Sequence, residues 1–237
     1  MTTQPYRGKA KDYSAYRPQY SSDALTYLCE TVGFNSTWTV ADIGSGTGNV
    51  SRHLVGRAHV IAVEPDEAMR HEAENLLSAH PDFVSVDGTA EATTLPDRSI
   101  NLIVAGQALH WFDVAQAHKE FDRILEPDGW FAVLWNRFSP DDEPEFSVFL
   151  QTNESFRLSY PMTIRETWEQ FIGGARSAAR TPNVDDEGYL DFERAQKTVF
   201  DARARDGLIS VEYTTELAFG HMKRRTIGCR RRGAPRA

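Results

Sequence analysis

The chain has 237 residues, 41% hydrophobic and 25% charged, with 16 Gly and 11 Pro. That is globular composition at the size of one α/β domain, and it excludes collagen, coiled-coil, small disulfide-scaffold and wholly disordered classes. The net charge of −8 is uneven: residues 223–237 hold seven Lys/Arg and no acid, leaving −15 on the body, which argues against nucleic acid as a partner of the folded domain. No apolar run approaches the roughly 18 residues of a membrane span, and the start MTTQPYRGKA has no apolar signal core. The expectation is a soluble, cytoplasmic protein with no membrane partner, as a monomer or homodimer. Cys29 and Cys229 show no metal-ligand spacing and read as free thiols of a reducing compartment, so no metal is expected.

Residues 1–36 form an N-terminal helical cap in this reading. From Thr37 to Trp135 the pattern then switches repeatedly between strand and helix periods, as a parallel sheet with crossover helices requires. Strands are predicted at Trp38–Ile43, His59–Val63, Phe83–Val86, Ile100–Ala105 and Trp130–Trp135, within a core of residues 37–136. Met69, Ala73, Leu76 and Leu77 make the apolar stripe of a helix that Asp66 can cap. A second stripe, Ala117, Phe121, Ile124 and Leu125, starts at Asp113 with Gln116 and stops before Pro127-Asp128-Gly129.

The acidic loop Ser139–Glu145 opens a segment, residues 137–190, whose helical-looking stretches between Phe146 and Ile172 are expected to lie over the sheet as a lid. Residues 191–221 comprise a helix at about Asp191–Asp206 and, beyond Gly207, a strand in which Ile209, Val211, Tyr213, Thr215, Leu217 and Phe219 alternate with their neighbours. Strict period-two alternation suits an antiparallel partner. The basic tail, residues 222–237, lacks apolar periodicity and is expected to be disordered.

The most informative segment is Val40-Ala41-Asp42-Ile43-Gly44-Ser45-Gly46-Thr47-Gly48, a strand entering a glycine turn that opens a helix. Glycines at alternate positions allow a sharp turn and close backbone approach to a ligand, with the helix's first N–H groups directed at it. Glu64, at the end of the second strand, can accept both hydroxyls of a ribose. A dinucleotide fingerprint would place a third glycine where Asn49 stands.

What is present, D-x-G-x-G-x-G, resembles motif I of the class I S-adenosylmethionine (SAM)-dependent methyltransferases. The resemblance implies a Rossmann-like, doubly wound α/β fold: a mostly parallel sheet with an antiparallel C-terminal strand and a helical lid. It implies SAM as cofactor, with Gly44, Ser45, Gly46 and Gly48 under its methionine and ribose, Asp42 at its amino group and Glu64 on the ribose. Met69, in Glu64-Pro65-Asp66-Glu67-Ala68-Met69, would pack on the adenine face or simply in the helix core. Gly88-Thr89-Ala90-Glu91 resembles the family segment that meets the adenine edge; many members carry Asp where Thr89 stands, and Asp87 is an alternative. Gln107-Ala108-Leu109-His110-Trp111-Phe112-Asp113 and the opening Ala10-Lys11-Asp12-Tyr13-Ser14-Ala15-Tyr16-Arg17-Pro18-Gln19-Tyr20 resemble the small-molecule, trans-aconitate methyltransferase-like group. By that likeness Gln107 joins the cofactor site and Trp111 walls the methyl-transfer pocket. Tyr13, Tyr16 and Arg17 meet an anionic acceptor or the SAM carboxylate. His110 is the nearest candidate base if the acceptor is a hydroxyl or amine, whereas a carboxylic acid acceptor needs none. Two alternatives remain open at this stage: an NAD(P)-dependent oxidoreductase and a non-catalytic SAM-binding module.

Overall fold

Strands covered on both faces need apolar side chains at every position, and the centre of the sheet is built that way. In the computed structural model, which describes residues 6–138 and 148–222, β1 (Thr39–Ile43), β2 (His59–Val63), β3 (Phe83–Val86) and β4 (Ile100–Gly106) pair in parallel. β5 (Leu125–Arg137) continues the parallel set. The register jumps between the Ile100–Leu125 and Leu102–Trp130 pairs, so a bulge absorbs Pro127-Asp128-Gly129 and the regular strand starts at Trp130 as expected. β7 (Ile209–Met222) lies antiparallel between β5 and β6 (Leu150–Glu166), completing the order β3-β2-β1-β4-β5-β7-β6. The expected antiparallel C-terminal strand is present. The acidic loop Ser139–Glu145 and the basic tail beyond Met222 lie outside the described residues.

Alternate residues of each strand feed opposite layers. Ala41, Ile43, Ile103, Phe131 and Val133 pack beneath α5 (Val114–Ile124), whose Ala117, Phe121 and Ile124 are fully buried. Val40, Leu102, Val104, Ala132 and Leu134 face α2 (Ser22–Val32) and the short α3 (Ser51–Leu54). Residues 1–36 are thus not all cap, since α2 covers the sheet. Asp113 caps α5 through bonds from the Ala115 and Gln116 N–H groups at 3.0 and 3.1 Å, as its sequence position predicts. In α4 (Glu67–Leu77), Met69, Ala73 and Leu77 are buried, whereas Leu76 is exposed.

The segment between Phe146 and Ile172 departs from expectation: Leu150–Glu166 is a strand, not lid helix. Phe156, Leu158, Tyr160, Met162 and Ile164 alternate with polar residues, a period of two that the helical reading passed over. Pro161 is tolerated because β6 is the sheet edge. Helical structure in this region begins with α6 (Trp168–Arg176), opened by a capping box in which Thr167 and Gln170 satisfy each other's backbone N–H. α7 (Tyr189–Arg203) then leads back to β7.

α1 (Ala10–Tyr16) packs against α6 and reaches α4. Arg176 Nε and Nη2 bond the two Asp12 oxygens at 2.9 and 3.1 Å, and Lys9 Nζ donates to the Arg176 carbonyl and to both oxygens of Thr181. Gly173 leaves a notch that the Tyr16 ring fills, since a Cβ there would lie 2.2 Å from it. No helix of the described residues is long and apolar enough to cross a membrane.

Phe121, Phe131 and Phe149 meet at centroid distances of 5.1–5.7 Å with no exposure, joining α5, β5 and the approach to β6. Phe121→Ala is expected to cost about 3–5 kcal/mol through the cavity it leaves. A urea titration that loses less than about 1 kcal/mol would show that the three rings do not pack as one unit.

Candidate active site

The strand order reverses between β1 and β4, so the loops leaving their C-terminal ends diverge and a crevice opens there. β1 delivers the chain into the glycine turn. Gly44 has φ +67° and passes so close to the neighbouring loop that a Cβ would sit 2.7 Å from that of Ala108. Gly46 has φ +55° with nothing within 4 Å of its added Cβ, so its backbone borders open space. Gly48 does different work: a Cβ there would meet Leu77 at 2.9 Å, which makes it a packing position against α4.

Glu64 ties the turn to β2. One carboxylate oxygen accepts the Gly46 N–H at 2.9 Å and the other the Asp66 N–H at 2.9 Å. Each oxygen retains capacity for a second donor. Burial pushes the Glu64 carboxyl above the usual range, against the downward pull of those two bonds. Asp66 caps α4 through the Ala68 and Met69 N–H groups, as expected. Asp42, 1% exposed, accepts the Ser51 N–H at 3.0 Å and its hydroxyl at 2.7 Å on Oδ2. Its Oδ1 is buried with no partner among the described residues, and burial pushes the carboxyl up to about 7.

Around the turn lies a cavity of about 480 Å³ that brings together Tyr13, Gly44, Gly46, Glu64, Met69, Thr89, Ala90, Glu91, Gln107 and Trp111. Its Thr89–Glu91 wall is anchored from two sides. Glu91 accepts the Asp113 N–H at 2.7 Å, while Glu120 accepts the Thr93 N–H and hydroxyl at 2.9 and 2.6 Å. Arg123, bonded to Glu120, holds that carboxyl down to about 2. Gln107 takes the left-handed φ of +54°, which its N–H bond to the Leu134 carbonyl at 3.0 Å helps hold. Burial pushes the Tyr13 hydroxyl up to about 12.

Six sequence-predicted residues stand outside the lining. Asp42, Ser45 and Gly48 lie beneath the turn, buried or packed. Tyr16 is turned to α6, donating to Glu169 at 3.0 Å, so it joins the helix clasp and not the cavity. Arg17 stacks over the Tyr13 ring at 5.0 Å, its Nε buried and unpartnered among the described residues. His110 is exposed, 4.6 Å from the Trp111 ring and 5.3 Å from Trp135. In the 3₁₀ turn Leu109–Trp111, Leu109 enters the core and Trp111 lines the cavity, with the His110 ring beside Trp111. Asp87, the alternative to Thr89, is on the surface beside Arg70 at 3.4 Å. Sequence reasoning missed Tyr6, Pro65, Asp66, Gly106, Ala108 and Phe112 as lining residues. Phe112 and Asp66 stood inside quoted motifs, whereas Tyr6 has no local signal and arrives through its edge contacts with Tyr13 and Trp111 at 5.3 and 6.1 Å.

A raised Asp42 pKa favours the protonated native state, so its contribution to stability is full below the unfolded value of about 4 and is lost as pH rises through about 7. Asp42→Asn keeps an acceptor for Ser51 and removes this loss. It is expected to raise stability at pH 8 by on the order of 2 kcal/mol relative to wild type and to narrow the difference at pH 4. Melting curves at the two pH values that shift in parallel for both proteins would refute the assignment.

Residues 41–133 match the family model described as a methyltransferase domain. An uncharacterized methyltransferase of Schizosaccharomyces pombe is 32% identical over 141 residues, covering 57% of this chain and 54% of its own. One from Mycobacterium bovis is 36% identical over 125 residues, covering 52% and 49%. The chain spans about half the length of these curated relatives. The solved YcgJ protein of Bacillus subtilis shares the fold, with a TM-score of 0.58 over 86% of this chain and 100% of that one at 19% identity. Family match, sheet order and glycine turn coincide in the same stretch of chain: residues 41–133 are similar in sequence to the methyltransferase domain, and the chain shares the fold of a solved relative.

Proposed function

We propose that the protein transfers the methyl group of SAM to a small anionic acceptor, a carboxylic acid being the best fit, and works in the cytoplasm as a monomer or homodimer. The observation that carries the reading is the pair of buried acids at one glycine turn: Glu64, held by the Gly46 N–H, and Asp42, with a buried oxygen to spare. These residues fit SAM. Glu64 would take the ribose diol, Met69 and the Thr89–Glu91 wall the adenine, and Asp42 the ammonium group, directly or through water. The same two carboxylates oppose a pyrophosphate, which disfavours the nicotinamide dinucleotide alternative.

SAM, when bound, supplies a methyl group activated by the adjoining sulfonium. The chain's own part is to position and to exclude water, which serves a displacement whose charge disperses in the transition state. Tyr6, Tyr13, Trp111 and Phe112 form an aromatic wall to the cavity. Arg17, close enough to Tyr13 and Tyr213 to influence both hydroxyls, offers the positive charge that an anionic group seeks. Among the described residues the cavity lining holds no histidine, and a carboxylate acceptor would carry no proton to remove. The stretch from Gln107 to Asp113 and the opening from Ala10 to Tyr20 support the trans-aconitate methyltransferase-like subgroup.

Transfer from labelled SAM into a metabolite pool, read by mass spectrometry, tests the activity and identifies the acceptor. No transfer in a single turnover, despite tight SAM binding, would leave a non-catalytic SAM-binding module. Glu64→Ala is expected to weaken SAM binding by about 1.5–3 kcal/mol, more than tenfold in Kd. Unchanged calorimetric affinity would remove Glu64 from the site. With a carboxylate acceptor, His110→Ala should leave kcat within about threefold of wild type; a loss of roughly 100-fold would instead make His110 a base.

A further inference from the structure

The segment between α1 and α2 is fastened to the sheet by one buried polar pair. Asn136, 3% exposed near the end of β5, donates from Nδ2 to the carbonyls of Pro18 and Gln19 at 3.1 and 3.2 Å. Its Oδ1 accepts the hydroxyl of Thr215, its register partner on β7, at 2.6 Å. That hydroxyl oxygen, fully buried, accepts the Ser21 N–H at 3.0 Å. Three bonds therefore bind residues 18–21 to two strands through two side chains, which the fourth joins to each other. A fifth, to the main chain, reaches the cavity: the backbone carbonyl of Asn136 accepts Gln107 Nε2 at 3.3 Å.

What this pair holds in place is a set of unsatisfied groups. Arg17 Nε and Gln19 Oε1, on the fastened segment, are buried without partners among the described residues; so are Asp42 Oδ1 and Gln107 Oε1. Arg17 lies over the Tyr13 ring at 5.0 Å, and both Arg17 and Asp42 act electrostatically on the Tyr13 and Tyr20 hydroxyls, which brings these two charges to the same pair of tyrosines. Tyr20 in turn is wedged against Gly106, where a Cβ would come within 2.7 Å of its hydroxyl. One guanidinium nitrogen with three acceptor oxygens complements an α-amino acid zwitterion, carboxylate toward Arg17 and ammonium toward the oxygens.

We infer that Asn136 and Thr215 are positioning residues for the amino-acid end of the cofactor: by fixing residues 18–21 and Gln107 together, they set Arg17 and Gln19 opposite Asp42. The inference rests on the SAM reading above. Neither residue lines the cavity, and of the groups they hold Gln107 does, so both act through those groups. Asparagine suits the task because it alone of the small polar residues offers two donors and an acceptor at once.

Two ligands separate this role from general support. S-adenosylhomocysteine carries the amino-acid end; 5′-methylthioadenosine has the same nucleoside and sulfur without it. Calorimetry on the full chain should find Asn136→Ala weakening S-adenosylhomocysteine by about tenfold while methylthioadenosine stays within about twofold. Thr215→Val, nearly isosteric, should show the same selectivity at about threefold, and it carries the test should Asn136→Ala fail to fold by circular dichroism. Equal weakening of both ligands, or no change in either, overturns the inference. If wild type binds neither ligand, the cofactor reading itself falls, a result seen without any variant.

Discussion

A backbone turn that must stay open toward a ligand cannot be stabilised by packing on its ligand side, and here the Glu64 carboxylate does the stabilising. It grips the Gly46 N–H with one oxygen and the Asp66 N–H with the other, so the end of β2, the glycine turn after β1 and the entry to α4 become one rigid corner. Arg70 closes the corner from behind by donating to the Glu64 carbonyl at 2.8 Å. The cavity walls that follow, Met69 on α4 and the loop beyond β3, take their positions from this corner and from the switch in strand order beside it.

Burial sets the electrostatics. Asp42 and Glu64 are both pushed up by desolvation, and the Glu64 charge adds to the rise at Asp42, which reaches about 7. Two acids under such pressure are poorly served by a ligand that brings further negative charge and well served by one that brings an ammonium group or hydroxyl donors. On the proposed reading, the site would select among nucleotide-like ligands by charge in addition to shape.

The cavity is closed by a helix that the sheet does not support. α1 supplies Tyr13, yet its anchors are on α6, through Asp12 to Arg176, Tyr16 to Glu169, and Lys9 to the chain after α6. The join from α1 to α2 is held separately by Asn136 and Thr215. Residues distant in sequence, from the chain's first twenty and from beyond residue 165, therefore complete a site whose floor lies in the first half of the domain.

The sequence by itself determined the parts whose physics is local. The run Asp42 to Gly48, the acid at Glu64 and the caps at Asp66 and Asp113 can be read because turns, strand ends and helix starts are decided within a few residues. Five parallel strands were legible for the same reason, and so was β7, whose alternation is strict. β6 was not, although its alternation was there: an edge strand with a half-exposed face and a proline is distinguished from surface helix only by its partner, here β7. Tertiary structure also decided which members of a motif reach the cavity. Trp111 lines it and His110 does not, though the two are neighbours on one 3₁₀ turn, and Tyr13 lines it while Tyr16 fills the notch at Gly173. Asn136 had no signal at all, since its importance lies in carbonyls more than a hundred residues earlier that only folding brings within hydrogen-bond reach.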